Sequence, residues 1–178
     1  MPQRVFVDAD VLASRTPYGW LGLLRDETDA FQLHSSPAVV ADAVRLWRSG
    51  DPSTRAASAP RRLALLTASL DEVVGVIETD AEPGVGGRVG DSAVADAVAT
   101  GAHVLLSASA RTAEDGDRLP FEICTPDEFL CLMDDAAPAA VREVARRRAA
   151  EPLADALLAA GCPAFAERVA SYLRAIAR

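Results

Sequence analysis

Short apolar runs alternate with amphipathic stretches along most of the chain. Val5–Val7 is a run of β-branched and aromatic residues, which is typical of a short interior strand. His103–Ser107 and Phe121–Thr125 have the same character and predict two further strands. Because helical patterns separate these runs, we expect an α/β fold with a Rossmann-like parallel sheet flanked by helices.

Apolar residues recur at helical spacing in the stretches between the strands. Tyr18–Glu27 places a tryptophan and three leucines at such spacing and predicts a helix. A second helix begins after Ser36, which suits the N-cap, with Pro37 at the first helical position and Gly50 at its end. Positions 61–78 continue as a helix that leads into a short strand.

The glycine-rich stretch Asp80–Gly90 predicts a loop. Its Gly-x-Gly-Gly pattern lacks a preceding strand and a following Lys-Ser or Lys-Thr, so we do not interpret it as a phosphate-binding loop. Beyond it, a helix headed by Asp91 leads through Gly101 and Ala102 into the strand at His103–Ser107.

The chain changes character after residue 136. From Pro138 onward it has no strand pattern, and Pro152, Gly161 and Pro163 divide it into about three helices. We therefore predict an α/β domain over residues 1–136 and an α-helical C-terminal extension over residues 137–178.

The formal net charge of −8 limits how this chain can bind a polyanion, and all 18 of its basic residues are arginine. An RNA partner would require clustered arginines, or positive charge from metal ions or another protein. The densest basic run is Arg146–Arg148, with Arg142 one turn earlier. This run fits either a grip on RNA phosphates or a solvated helix face, and Arg61 and Arg62 are equally ambiguous.

Other side chains suggest structural roles or a compartment. Trp20 and Trp47 fall on apolar helix faces, which predicts packing in the core. The three cysteines lack metal-ligand spacing and suggest buried thiols in a reducing compartment. No apolar run approaches the ~18 residues of a membrane span, and no cleavable leader pattern begins the chain. These features predict a cytoplasmic location without membrane attachment.

Several aspartates fall where a parallel sheet would bring them together. Asp8 and Asp10 follow the first strand, Asp42 lies in the second turn of a helix, and Asp91 begins a helix that also contains Asp96. Carboxyl ends of strands and amino ends of helices lie on the same rim of such a sheet, so Asp8, Asp42 and Asp91 are expected to converge.

A divalent cation would relieve the repulsion among these carboxylates. Mg²⁺ and Mn²⁺ prefer carboxylate oxygens and can activate water for phosphodiester hydrolysis. The alternative for Asp42 and Asp91 is capping or charge complementarity at a helix start. Asp8 fits that alternative less well, because a carboxylate directly after a buried strand is costly unless it is paired or coordinated.

The order of these motifs resembles that of the PIN-domain family. "VFVDADVLASRT" is similar to its first motif, "SSPAVVAD" to its second, and "DSAVADAVATGAHVLLS" to its third. "TPDEFL" and the tail "PLADALLAAGCPAFAERV" resemble a subgroup of VapC-type toxins from bacterial type II toxin–antitoxin pairs. The resemblance extends over nearly the whole chain.

The resemblance implies an Mg²⁺- or Mn²⁺-dependent endoribonuclease toxin that is held silent by a cognate antitoxin protein. Asp8, Asp42 and Asp91 would be the catalytic carboxylates, with Asp8 and Asp91 as metal ligands. Asp96 competes with Asp91, because Asp91 lies about one residue too close to the Gly-Ala turn. The resemblance leaves a homodimer open.

Other positions of the resemblance bear on the RNA substrate. Ser107 falls where these proteins often carry a hydroxyl, and Arg15 follows the first motif. We assign both residues, together with Ser109, to substrate binding.

Three positions depart from the family pattern. Asp42 replaces the usual Glu, Asp10 replaces an Asn, and Ser109 replaces the fourth Asn or Asp. Because active sites require accurate placement, these changes indicate a weakened enzyme. The alternative hypothesis is a degenerate PIN-fold protein without metal catalysis, which acts as a binding or regulatory module.

Overall fold

A five-stranded parallel sheet forms the centre of the protein. The computed structural model describes residues 1–50, 52–75, 91–109 and 119–176, with the backbone alone at positions 54, 91 and 92. In the order β3-β2-β1-β4-β5, every neighbouring pair of strands is parallel. The strands are β1 (Gln3–Val7), β2 (Phe31–Ser35), β3 (Glu72–Val73), β4 (Val104–Leu106) and β5 (Glu122–Cys124). The predicted fold class, a Rossmann-like α/β sheet, is confirmed.

Helices connect and flank the strands. Those of the first half are α1 (Ala9–Ala13), α2 (Arg15–Thr28), α3 (Pro37–Ser49), α4 (Pro52–Arg55) and α5 (Ala59–Ser69). Those of the second half are α6 (Asp91–Ala99), α7 (Pro126–Ala136), α8 (Pro138–Arg147), α9 (Leu153–Ala159) and α10 (Pro163–Ile176). The glycine-rich stretch predicted as a loop, Asp80–Gly90, lies outside the described residues.

Local sequence signals set two of the helix starts. Ser36 accepts a hydrogen bond from Val39 N at 3.3 Å and caps α3, with Pro37 next in the chain. Thr125 and Glu128 form a capping box at the start of α7, where Pro126 is the first residue. Both starts are where the sequence predicts them.

Two elements near the amino terminus were not predicted. Strand β2 carries Gln32 and His34 between apolar residues and pairs with β1 from Gln3↔Phe31 to Phe6↔His34. Helix α1 begins directly after Asp8 and has only five residues. Both are short, so local pattern alone did not distinguish them from loop.

The two tryptophans have different environments. Trp20 is fully buried and meets Phe165 edge-to-face, with ring centroids 5.0 Å apart. Trp47 is only half-buried, and the guanidinium groups of Arg55 and Arg62 lie over its ring. The prediction of core packing is therefore confirmed for Trp20 and wrong for Trp47, because arginines rather than apolar residues cover the ring.

The tail forms three helices, as predicted, and they pack on α2 and α7. Its apolar residues Val141, Leu157 and Phe165 belong to the same buried cluster as Phe6 and Leu105 of the sheet. Whether the chain divides into domains at residue 136 stays a prediction. Within the part of the chain that is described, no helix is long and apolar enough to cross a membrane.

Candidate functional site

The candidate site begins where β1 and β4 end side by side. Val7 pairs with Leu106, and the ladder continues as Asp8 N donates to Leu106 O at 2.9 Å. Ser107 N in turn donates to Cys124 O at 3.1 Å. The chain runs outward from β1 to β2 and β3 on one side and to β4 and β5 on the other. Asp8 and Ser107 therefore lie at the switch point where open α/β sheets bind ligands.

Asp8 is held by two different donors. It is only 7% exposed, and its Oδ1 accepts a hydrogen bond from Ala9 N at 2.7 Å as Asp8 caps α1. Its Oδ2 accepts from the buried Ser107 hydroxyl at 3.0 Å. The orientation of the carboxylate is therefore set from both of its oxygens.

Asp10 accepts hydrogen bonds from the turn that follows β4. Its Oδ2 accepts from Ala108 N at 3.1 Å, from Ser109 N at 3.0 Å and from Ser109 Oγ at 3.0 Å. The Ser107 hydroxyl lies 3.4 Å from the same oxygen. A hydroxyl has one proton, and the shorter distance assigns it to Asp8. Ser107 thus lies between two carboxylates.

The two carboxylates, those of Asp8 and Asp10, are ligands of the kind that a hard cation prefers. Asp10 Oδ1 is buried and has no hydrogen-bond partner among the described residues, so this oxygen could serve as a ligand for a cation. One or two carboxylates are enough for an Mg²⁺ ion that keeps most of its water. A set of three or more His, Cys, Asp or Glu side chains arranged for a metal was not found among the described residues.

Asp42 lies on the exposed side of α3. Its Oδ1 accepts from Arg45 Nε at 3.2 Å, and 41% of the side chain is exposed. Arg45 follows one turn later on the same helix and occupies this oxygen. The convergence of Asp42 with Asp8 stays a prediction.

The two candidates for the third carboxylate lie on α6. Asp91 is its first residue, and the contacts of the Asp91 side chain lie outside the described structure. Asp96 is half-buried, and its Oδ2 is buried with no hydrogen-bond partner among the described residues. The choice between Asp91 and Asp96 stays open.

The residues assigned to substrate binding fall into two groups. Ser107 and Ser109 are both engaged with the carboxylates at the end of β4. Arg15 is the first residue of α2, and its guanidinium lies close enough to Arg62 of α5 for the two positive charges to repel each other. Burial lowers the pKa of the Arg62 guanidinium, and the like charge of Arg15 acts in the same direction. Arg15 therefore belongs to a basic region next to the site.

The sequence patterns did not predict that Asp10 holds the turn after β4. The available signal was an aspartate after one predicted strand and two serines, Ser107 and Ser109, at the end of another. Ser35 was also missed: its buried hydroxyl donates to Val7 O at 3.1 Å, directly before Asp8. Nothing in the local pattern around Ser35 distinguished it from an ordinary strand residue.

Comparisons with known proteins do not assign the chain to a family. No protein-family model, curated protein or solved structure matches it. The function is therefore inferred from the residues and geometry of the site.

Proposed function

We propose that this protein is an Mg²⁺- or Mn²⁺-dependent endoribonuclease with its active site at the carboxyl ends of β1 and β4. The observation that carries the proposal is the buried Asp8 carboxylate at the switch point of the sheet, which accepts a hydrogen bond from a Ser107 hydroxyl that lies between Asp8 and Asp10. Burying carboxylates is costly unless they are paired or coordinated, and this is the region where such folds bind ligands.

Asp8 and Asp10 would hold the cation, together with Asp91 or Asp96 from α6. When bound, the ion supplies a Lewis acid for the phosphodiester and lowers the pKa of a water. Asp8 is suited to this task because Ala9 N and the Ser107 hydroxyl fix its orientation before any ligand arrives. Asp10 also holds the turn at Ser107–Ser109 in place, because it accepts hydrogen bonds from the amide and hydroxyl of Ser109.

Asp42 would offer Oδ1 to a cation only by leaving Arg45. Both side chains of that pair are well exposed, and surface ion pairs of this kind contribute ~1 kcal/mol or less. The approach of a cation or of an RNA phosphate could therefore displace Arg45 and release the carboxylate.

The biological role that we propose is that of a VapC-like toxin, which acts on RNA in the cytoplasm and is silenced by an antitoxin. The resemblance of the three sequence motifs and of the tail supports this role. An acidic site also suits an arginine-bearing segment of an inhibitor, because opposite charges favour association.

The experiment is calorimetric titration of the purified protein with Mn²⁺, using Asp8→Asn as the test variant and Asp155→Asn as the control. Asp155 is an exposed carboxylate on α9, so the control removes the same charge far from the site in sequence. We expect one or two ions per chain, lost in Asp8→Asn and kept in Asp155→Asn. Failure of the unaltered protein to bind millimolar Mn²⁺ would refute the proposal.

A second candidate is a binding or regulatory protein that keeps the fold without metal chemistry. The Asp42–Arg45 pair and the engagement of Ser109 with Asp10 favour it, since both occupy groups that the nuclease would use. Absence of Mn²⁺ binding together with a folded chain would select this candidate.

A further inference from the structure

The arginines of the described structure differ in whether an acidic side chain neutralises them. The dense run in the tail is paired throughout: Arg146 with Glu143, Arg147 with Glu27, and Arg148 with Glu151. These pairs leave little charge for a polyanion, although this run is the most basic stretch of the sequence.

A second group of arginines lies on α3, α4 and α5. We call it the arginine face; it consists of Arg45, Arg48, Arg55, Arg61 and Arg62. Between positions 45 and 69 the sequence contains these five arginines and a single acidic residue, Asp51. Among the described residues, none of the last four arginines has an acidic side chain within salt-bridge distance.

Trp47 contacts two arginines of this face. The guanidinium carbons of Arg55 and Arg62 lie 5.2 Å and 5.8 Å from the centre of its ring. Arg55 also donates to Trp47 O at 2.6 Å. Gly50 makes this approach possible, because a Cβ there would lie 2.9 Å from the Arg55 Nη1. Two of the five charges, those of Arg55 and Arg62, are therefore positioned by contacts with Trp47.

The face adjoins the carboxylate site. Arg62 Nη2 donates to Leu12 O at 3.1 Å, in the α1 helix that Asp8 caps. On the other side, Arg45 and Arg48 line a shallow depression of about 280 Å³ together with Ser49 and Pro52. A chain that lies along the face would have basic side chains from this depression to the helix that carries Asp10.

We propose that the arginine face binds the phosphodiester backbone of single-stranded RNA and leads it toward the Asp8 site. This inference rests on the proposed function, because the ribonuclease activity is what identifies the bound polyanion as RNA. In a chain of net charge −8, a local concentration of arginines with few acidic residues near them in the sequence is what a phosphate backbone requires. Guanidinium groups bind phosphate oxygens through two parallel hydrogen bonds and can also stack on bases.

An acidic peptide is the competing partner, since Leu63 and Leu65 are exposed on α5 beside the arginines. RNA is favoured because the face extends along α3 to α5 and reaches α1, the helix that Asp8 of the proposed active site caps. A peptide on the same face would have no reason to approach the carboxylates.

The test is fluorescence anisotropy of a labelled oligouridylate of about twelve nucleotides, a length within the range that single-strand binders cover. The buffer contains EDTA, so binding is measured without metal and without cleavage. The test variant is Arg48→Gln/Arg61→Gln, and the control is Arg146→Gln/Arg148→Gln. Arg48, Arg61 and Arg146 lie on helices, and Arg148 directly follows α8. The two double variants change the net charge equally, and circular dichroism checks that each variant folds.

We expect the test variant to bind about tenfold more weakly, and the dependence of log affinity on log salt to become shallower by about 1.4, or 0.7 for each lost phosphate contact. The control should change affinity by less than about twofold. Equal effects of the two variants, or no binding by the unaltered protein, would overturn the inference. Displacement of the RNA by oligoglutamate at equal charge would assign the face to an acidic peptide instead.

Asp8→Asn separates this inference from the proposed function. It should retain RNA binding in EDTA, because it leaves the arginine face intact. If the unaltered protein binds no Mn²⁺ but its RNA binding depends on Arg48 and Arg61, the proposed catalysis is wrong and the arginine face stands. If it binds Mn²⁺ but RNA binding is insensitive to these arginines, only the present inference fails.

Discussion

Ser107 donates its hydroxyl proton to Asp8 Oδ2 over 3.0 Å, although 99 positions separate the two residues in the chain. The parallel pairing of β1 with β4 brings them together, because it places the residue after Val7 beside the residue after Leu106. Both side chains are buried, so the bond forms where water does not compete for it.

Removal of the Ser107 hydroxyl should destabilise the folded protein. We expect Ser107→Ala to lower the free energy of unfolding by about 1.5–3 kcal/mol, the usual range for a hydrogen bond to a charged group. Urea unfolding followed by circular dichroism measures the change. Ser171→Ala, an exposed serine on α10, is the control and should change stability by ~0.5 kcal/mol or less. Equal losses in the two variants would contradict the role given to Ser107.

Asp10 should control the order of the turn after β4. Asp10→Ala removes the acceptor of the Ala108 and Ser109 amides, whereas Asp10→Asn keeps an oxygen at that position. We expect amide exchange at these two residues to accelerate at least about tenfold in the alanine variant, since the lost bonds involve a charged acceptor. Hydrogen–deuterium exchange by NMR measures this.

The asparagine variant provides the matched comparison for that experiment. Its exchange rates should lie closer to those of the unaltered protein, within about threefold, because a neutral amide oxygen accepts weaker bonds in the same geometry. Similar rates in all three proteins would mean that the turn is held by other contacts.

The capping box of α7 should make stability depend on acid pH. The backbone N–H and the hydroxyl of Thr125 each donate to Glu128 Oε2 at 2.8 Å. The backbone bond, reinforced by the hydroxyl, lowers the pKa of the Glu128 carboxyl in the folded protein. The ionised form is therefore favoured by folding. Its stabilisation is complete above the unfolded pKa of about 4.3 and is lost as the pH falls through the lower folded value.

We accordingly expect Glu128→Gln to be less stable than the unaltered protein at pH 7, by ~1 kcal/mol or less. The difference should shrink toward zero as the pH falls below the folded pKa of Glu128, because both side chains are then neutral. Thermal unfolding across this pH range measures it. Glu167→Gln, an exposed position on α10, should show no comparable trend.

A buried carboxylate joins the tail to the rest of the protein. Asp134 of α7 is 4% exposed, and it accepts from Arg168 Nη1 at 3.0 Å and from the Tyr172 hydroxyl at 2.8 Å. We expect Arg168→Met to cost about 2 kcal/mol, because it leaves the buried charge without its cation. Asp134→Leu/Arg168→Met should recover much of that loss, since the charge is removed with its partner.

Urea unfolding of the two single variants and the double variant closes this cycle. Additive losses would show that the ion pair contributes nothing beyond the separate side chains. The same comparison tests whether the tail unfolds with the sheet, because a separate extension would give a second transition.

The thiols should differ in reactivity according to burial. Cys124 and Cys162 are buried, whereas Cys131 is half-buried. Burial raises the pKa of the Cys162 thiol to about 11, so little thiolate forms at pH 8. We expect one thiol, Cys131, to react promptly with Ellman's reagent in the folded protein, and all three to react in urea. Prompt reaction of Cys131→Ser would show that Cys124 or Cys162 is accessible in the folded protein, which would contradict this prediction.

The sequence by itself determined the fold class and one residue of the candidate site. Strand β1 and the starts of α3 and α7 are local features, because β-branched runs, N-caps and proline act over a few residues. Asp8 was identifiable for the same reason, as a carboxylate that directly follows a buried strand. Strand β2 was missed because its five residues become a strand by pairing with β1.

Tertiary structure decided which polar groups meet. Whether Asp10 holds Ser109, whether Asp42 pairs with Arg45, and whether Arg148 is neutralised are matters of geometry between side chains. Hydrogen bonds and ion pairs act over a few ångströms, while the residues that form them can be a hundred positions apart. Sequence patterns report the burial of a segment, but only the packed strands and helices place one polar side chain against another.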